Sequence, residues 1–235
     1  MFFKEYTPIQ IEQAKRYISC DALFILVMNA LARKEPFSVV RMGDGEASIL
    51  RMRTGGPMAK HLVNKDWLKE YGLLGADMKI LMAQLWLATE HSDVYCPNIS
   101  GLCLTKYEII SLGKQREMYG EGLFAHTWLY MGRVEELMLY EGRIGVVCRN
   151  SKDISMRLFN KYSKPDIEAS EYNSWTDYYK CLDEIGKMKS HLILVSAGPS
   201  GKYLCVEASK KFGKVVLDTG SALIRHWSVS KVKNF

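Results

Sequence analysis

The chain has 235 residues, 48% hydrophobic and 25% charged, with 32 Lys and Arg against 26 Asp and Glu for a net charge of +6. This is enough chain and apolar content for a single soluble domain over 1–235, and the sequence pI near 8.9 favours an anionic ligand. There is no dense basic stripe interleaved with aromatics, so no nucleic-acid partner is expected. The longest apolar run, Ala22 to Ala32, is too short for a membrane span, and residues 1–20 lack the apolar core of a signal peptide, so a cytoplasmic location is expected.

In chain order, Ile11, Ala14, Ile18, Ala22, Leu26 and Ala30 recur at helical spacing and predict a long helix over roughly 8–33. Ser38 to Arg41 reads as a strand. A charged, glycine-containing segment, Arg51 to Lys60, reads as a loop. Ala76 to Glu90 is helical, with Ile80, Leu81, Leu85 and Leu87 on its apolar side. Asp93 to Cys96 is a short strand stopped by Pro97, and 103–140 is mostly helical. Arg143 to Cys148 is a continuous apolar strand, Trp175 to Lys187 a helix with an aromatic face (Trp175, Tyr178, Tyr179), and His191 to Ser196 a buried strand. Ser200 to Phe212 is a helix ending at Gly213, and Val215 to Asp218 is the last strand.

Strands without polar alternation are buried on both faces, and strands separated by helices pair in parallel through right-handed crossovers. The expected class is therefore α/β, a three-layer, mostly parallel open sheet with helices on both faces. The cysteines Cys20, Cys96, Cys103, Cys148, Cys181 and Cys205 form no C-x-x-C pair and no zinc spacing with histidine, so they read as reduced, buried thiols. His61, His91, His126, His191 and His226 are not spaced as metal ligands and carry no assigned role.

The densest chemical signal is Ser38-Val39-Val40-Arg41-Met42-Gly43-Asp44-Gly45-Glu46. A short apolar strand runs into two carboxylates at i and i+2, flanked by glycines and preceded by an arginine. Two oxygen ligands on one side of an extended segment suit a divalent cation, Mn2+ or Mg2+. The glycines allow close backbone approach, and Arg41 suits phosphate oxygens. A plain Gly-Asp-Gly turn with solvated acids is the alternative.

In parallel α/β sheets, ligands bind beyond the carboxyl ends of the strands. Polar or small residues follow every predicted strand: Asp44 and Glu46; Pro97, Asn98 and Ser100; Arg149, Asn150 and Ser151; Ala197, Gly198, Pro199, Ser200 and Gly201; and Asp218, Thr219, Gly220 and Ser221. The Gly198 loop opens a helix and so suits an anion. It matches neither a Walker A loop, because Tyr203 stands where Ser or Thr would hold magnesium, nor G-x-G-x-x-G. Arg149 and Asn150 suit phosphate or a base, and Asp218 suits a ribose, a sugar or a water.

The run from Ser38 to Glu46 resembles the R-F-G-D-G-E signature of Rossmann-like glycosyltransferases of the GT-D fold. The order of an apolar strand, a Gly-Pro turn, a helix and a strand ending in Asp-x-Gly over Leu192 to Ser221 is similar to that family too. The resemblance implies a metal-dependent transferase. Asp44 and Glu46 would hold Mn2+ or Mg2+ against a nucleotide-sugar diphosphate, most simply that of UDP-glucose or UDP-galactose, with Arg41, Gly43 and the Gly198 loop beside it. The acceptor would be a hydroxyl of a glycan or glycoprotein, and Glu46 or Asp218 are the candidates for its base. Met42 replaces the usual Phe, and Ser221 stands where family members often carry His. Another nucleotide-using transferase, of methyl or nucleotidyl groups, and a non-catalytic nucleotide- or sugar-binding module are the competing readings. A homo-oligomer stays open.

Overall fold

The computed structural model describes residues 17–51, 65–97, 119–140, 142–163 and 166–229. Among these residues six strands form one sheet, and every pairing in it is parallel. They are β1 (Phe37–Met42), β2 (Val94–Pro97), β3 (Arg143–Cys148), β4 (Asp166–Glu171), β5 (Leu192–Ser196) and β6 (Val215–Asp218), in the spatial order β2-β1-β6-β5-β3-β4. The expected α/β class is thus the one observed.

The apolar runs explain the layering. Successive strand side chains point to opposite faces, so a continuous apolar strand feeds two cores. Val40 and Met42 of β1, Val147 of β3, Ile193 and Val195 of β5 and Val216 of β6 enter one core. This core is covered by α2 (Asp44–Arg51), α4 (Met78–His91), α8 (Tyr178–Lys187) and α9 (Gly201–Phe212). Val39, Val146, Leu194 and Leu217 enter the other. Its cover is α1 (Cys20–Arg33), α5 (Phe124–Tyr130), α6 (Arg133–Tyr140), α7 (Ser151–Tyr162) and a π-helical turn at Leu223–Trp227. The two large indoles inside this second core are satisfied: Trp128 Nε1 donates to Cys20 O at 2.9 Å and Trp227 Nε1 to Ala125 O at 2.8 Å.

Several elements differ from expectation. The first helix starts at Cys20, because Ser19 Oγ accepts the Ala22 N–H and caps it, while Tyr17 forms an isolated bridge with Tyr119. Residues 8–16, the 51–60 loop beyond Arg51 and the stretch 103–118, with Cys103, lie outside the described residues. Asp44 to Arg51 is helical rather than extended. Helix α7 and strand β4 come from the polar stretch 151–171, where no periodicity pointed to them. Strand β4 lies at the sheet edge, so half of it has no apolar surface to cover, and only Ser170 is buried. A further short helix, α3 (Lys65–Glu70), precedes α4. Within the aromatic face predicted for 175–187, Tyr178 is buried but Tyr179 is exposed. The five described cysteines are free thiols. No helix among the described residues is long and apolar enough to cross a membrane.

Candidate active site

The connections leaving β1 and β6, two neighbouring strands, depart to opposite faces. After β1 the chain enters α2, whose Ile49 and Leu50 join the first core, while after β6 it enters the turn whose Leu223 and Trp227 join the second. Such a divergence opens a crevice at the strand ends. The backbone register between the two strands runs only to Val39 opposite Leu217. Beyond it, the Asp218 carboxylate takes over, with Oδ2 accepting the Arg41 N–H at 3.0 Å.

Four charged residues meet here. Lys202, on the first turn of α9, reaches Asp218 Oδ2 at 2.5 Å and Glu46 Oε1 at 3.4 Å. Side-chain exposures of 6% for Lys202, 3% for Asp218 and 11% for Glu46 put the group almost out of water. Burial pushes the Lys202 ammonium down, but the carboxylates of Asp218 and Glu46 outweigh it and hold it above the ordinary lysine value, so it stays charged. Arg41 Nε donates to Gly122 O and Nη1 to Thr219 O at 2.9 Å, which fixes the guanidinium beside them. Gly220 is required at its position. Its φ is +53°, and a Cβ there would fall on the Arg41 guanidinium.

Glu46 sits three residues past Gly43 and accepts its N–H through Oε2 at 2.9 Å. This is the returning half of a capping box, and it explains why the segment after Gly43 turns into a helix. The segment that carries Asp44 and Glu46 is thus helical rather than extended. The Asp44 side chain itself lies outside the described residues, as does Asn98.

Glu46 and Asp218 face one another across the Lys202 ammonium. All four of their carboxylate oxygens already meet protein donors: Gly43 N–H, Arg41 N–H, Gly220 N–H at 3.1 Å, and the Lys202 ammonium lying between them. Among the described residues, no group of three or more His, Cys, Asp or Glu is placed to hold a metal ion.

The Gly198 loop lies at the same sheet end. Gly198 adopts φ +60°, and a Cβ there would press on Tyr71 O at 3.3 Å, so the turn after α3 rests directly on this loop. The Gly201 and Lys202 N–H groups close onto Gly198 O and Pro199 O, and Ser200 is buried with its Oγ turned to Ala197 O. Tyr71 forms part of the rim. Burial and the carboxylates of Glu70 and Glu46 push its phenol up, against Arg225 and Lys202.

Arg149 and Asn150 are not brought into this cluster by the contacts they make. Arg149 Nη2 donates to Glu70 O at 2.8 Å and Asn173 O at 3.4 Å, and the Asn150 N–H goes to Glu171 Oε1 at 2.7 Å. They clamp the α3 turn and the start of α7. Lys202 is the residue that sequence reasoning missed. Its place directly after the Gly-Pro-Ser-Gly turn is the signal the sequence offers for it.

Residues 124–225 match the family model described as a GT-D fold-like domain. The matched stretch contains Lys202 and Asp218; Arg41 to Glu46 lie outside it. No curated protein and no solved structure matches the chain. Over residues 124–225 the chain is therefore similar to GT-D fold-like domains, in line with the resemblance its sequence carries.

Proposed function

We propose that the protein is a glycosyltransferase that moves a hexose, glucose or galactose, from a UDP-sugar to a hydroxyl of a glycan or glycoprotein. The observation that carries this reading is the meeting of the GT-D fold-like stretch with the Arg41–Glu46 segment at the crevice between β1 and β6. The diphosphate faces Arg41 and Lys202, with the Gly198 turn alongside. The acceptor hydroxyl attacks the anomeric carbon and gives its proton to Glu46 as base, while the bond from that carbon to the diphosphate breaks and its electron pair leaves on the phosphate oxygen. Fixed positive charge at the departing diphosphate lowers the barrier. Asp218, with both oxygens engaged by donors, is a positioning residue: it holds Lys202 and the Arg41 backbone where that charge is needed. Asp44 and Glu46 are the residues that would hold Mn2+ or Mg2+, which would supply further positive charge to the departing diphosphate.

Incubation of the full chain with UDP-glucose and UDP-galactose across a panel of glycan and glycopeptide acceptors tests the reading. UDP release that depends on acceptor, and that falls in Arg41→Ala, is the expected result. Neither turnover nor UDP binding in a folded protein would overturn it and move attention to S-adenosylmethionine and other nucleotides. Binding without turnover on any acceptor would make the chain a nucleotide-sugar-binding module.

A further inference from the structure

We propose that Tyr71 is a fixed aromatic platform of this site, against which a ring of the nucleotide sugar, the uracil or the hexose, lays its face. The proposal rests on the reading above, that the ligand is a UDP-sugar. Three features of the residue carry it: a locked backbone, an open ring and a place beside the Gly198 turn.

The lock is built where α3 ends. Gly72 follows Tyr71 with φ +66°; its N–H donates to Lys69 O at 3.1 Å, and the Leu73 N–H donates to Leu68 O at 2.7 Å. This pair of bonds is a Schellman cap with Tyr71 at the C-cap. Leu73 is fully buried and Leu68 packs on the same core, which closes the motif with an apolar contact. The segment after β4 ties the turn from outside, with Trp175 N–H donating to Gly72 O at 2.9 Å and Arg149 Nη2 to Glu70 O at 2.8 Å. A Cβ on Gly72 would fall 2.5 Å from Asn173 O, so the cap needs glycine there.

Both neighbours of Tyr71 are thus held, yet Tyr71 itself is 40% exposed, whereas Tyr95, Tyr119, Tyr172 and Tyr178 are buried in the cores. Its Cδ1 lies 3.6 Å from the place a Gly198 Cβ would take, and the charges of Glu46, Arg225 and Lys202 all act on its phenol. The ring therefore borders both the Gly-Pro turn and the charged cluster. A tyrosine has only two side-chain torsions to immobilise, and its electron-rich face accepts the plane of a base or the C–H face of a hexose. A diphosphate gripped at Arg41 and Lys202 carries one such ring at each end, and Tyr71 borders that grip.

The test is calorimetric titration of UDP-glucose, UDP and inorganic pyrophosphate into the full chain in Mg2+ buffer, for wild type, Tyr71→Phe and Tyr71→Leu. Tyr71→Leu is expected to bind UDP-glucose about tenfold more weakly, Tyr71→Phe to stay within about threefold of wild type, and pyrophosphate to bind all three alike. An equal loss for UDP assigns the ring to uracil; a loss for UDP-glucose alone assigns it to the hexose. Unchanged UDP-glucose affinity in a folded Tyr71→Leu would overturn the proposal. So would an equal loss for pyrophosphate, which would reduce Tyr71 to a buttress of the Gly198 turn. Circular dichroism establishes folding; should Tyr71→Leu not fold, proton NMR of UDP-glucose on wild type decides. An upfield ring-current shift of the uracil or glucose protons is expected, and its absence would overturn the proposal. A folded wild type that binds neither UDP nor UDP-glucose would remove the reading beneath it.

Discussion

Two corners of the same sheet end use similar residues for opposite purposes. At β1 and β6, Arg41, Glu46, Lys202 and Asp218 form a nearly dry cluster in which an ammonium is enclosed by carboxylates. At β3 and β4, Arg149, Asn150, Ser151 and Glu171 also join a carboxylate to basic and polar partners. There, however, the groups are more open to water and every contact closes the fold on itself: Glu171 caps α7 through the N–H groups of Asn150 and Ser151 and the Ser151 hydroxyl, while Arg149 holds two loop carbonyls. The difference teaches that a polar strand end is a site only where charge is buried beyond what the backbone needs. Capping consumes a carboxylate completely; the inner cluster buries an ammonium between two carboxylates at the strand ends.

The contrast can be broken most forcefully at Asp218. Asp218→Ala leaves Lys202 buried without its short partner, and a loss of about 3–5 kcal/mol in urea unfolding is expected. A loss near zero would mean that water reaches the cluster and that the two corners are alike. Gly220→Ala is next. The positive φ and the clash with the Arg41 guanidinium should cost about 1–3 kcal/mol, and UDP affinity should fall with it. Unaltered UDP affinity in a folded variant would separate Arg41 from the ligand.

The smallest effect is expected at the outer corner. Glu171→Ala should cost about 1 kcal/mol at neutral pH through the lost cap, with UDP affinity unchanged. Burial raises the Glu171 carboxyl, but the bonds from Ser151 and Asn150 prevail and hold it below the ordinary glutamate value. The folded value lies under the unfolded one, so its contribution is present above the ordinary glutamate range and is withdrawn as pH falls through the folded value. Urea midpoints of wild type and Glu171→Ala should therefore converge in acid. A constant gap would assign the cap to uncharged contacts alone.

The apolar strands were legible because their sequences leave little choice: Val39 and Val40, or Ile193, Leu194 and Val195, can only be buried on both faces. Strand β4 was not, because an edge strand with an exposed side carries Asp166, Glu168 and Glu171 and looks like a loop. The helix after Gly43 has its signal in the sequence, since Glu46 three residues on from Gly43 is cap spacing, but two acids at i and i+2 after a strand suit an extended segment as well. For the site, Arg41, Glu46 and Asp218 could be named as strand-end residues, and the fold unites them. That Lys202 joins them could not be read, because lysine is normally a surface residue and its partner Asp218 lies sixteen residues further on, across a helix and onto another strand.

The backbone bond from Trp175 N–H to Gly72 O, 2.9 Å long, has a mechanical meaning. Gly72 follows Tyr71 on the rim, and Trp175 follows the edge strand β4. With Arg149 holding Glu70 O and Asn173 O across the same seam, rim and edge are stitched at two points. Any movement that lifts Tyr71 off the Gly198 turn must therefore tug on the far margin of the sheet, and the Trp175 indole stands at that margin as a natural fluorescent gauge of it.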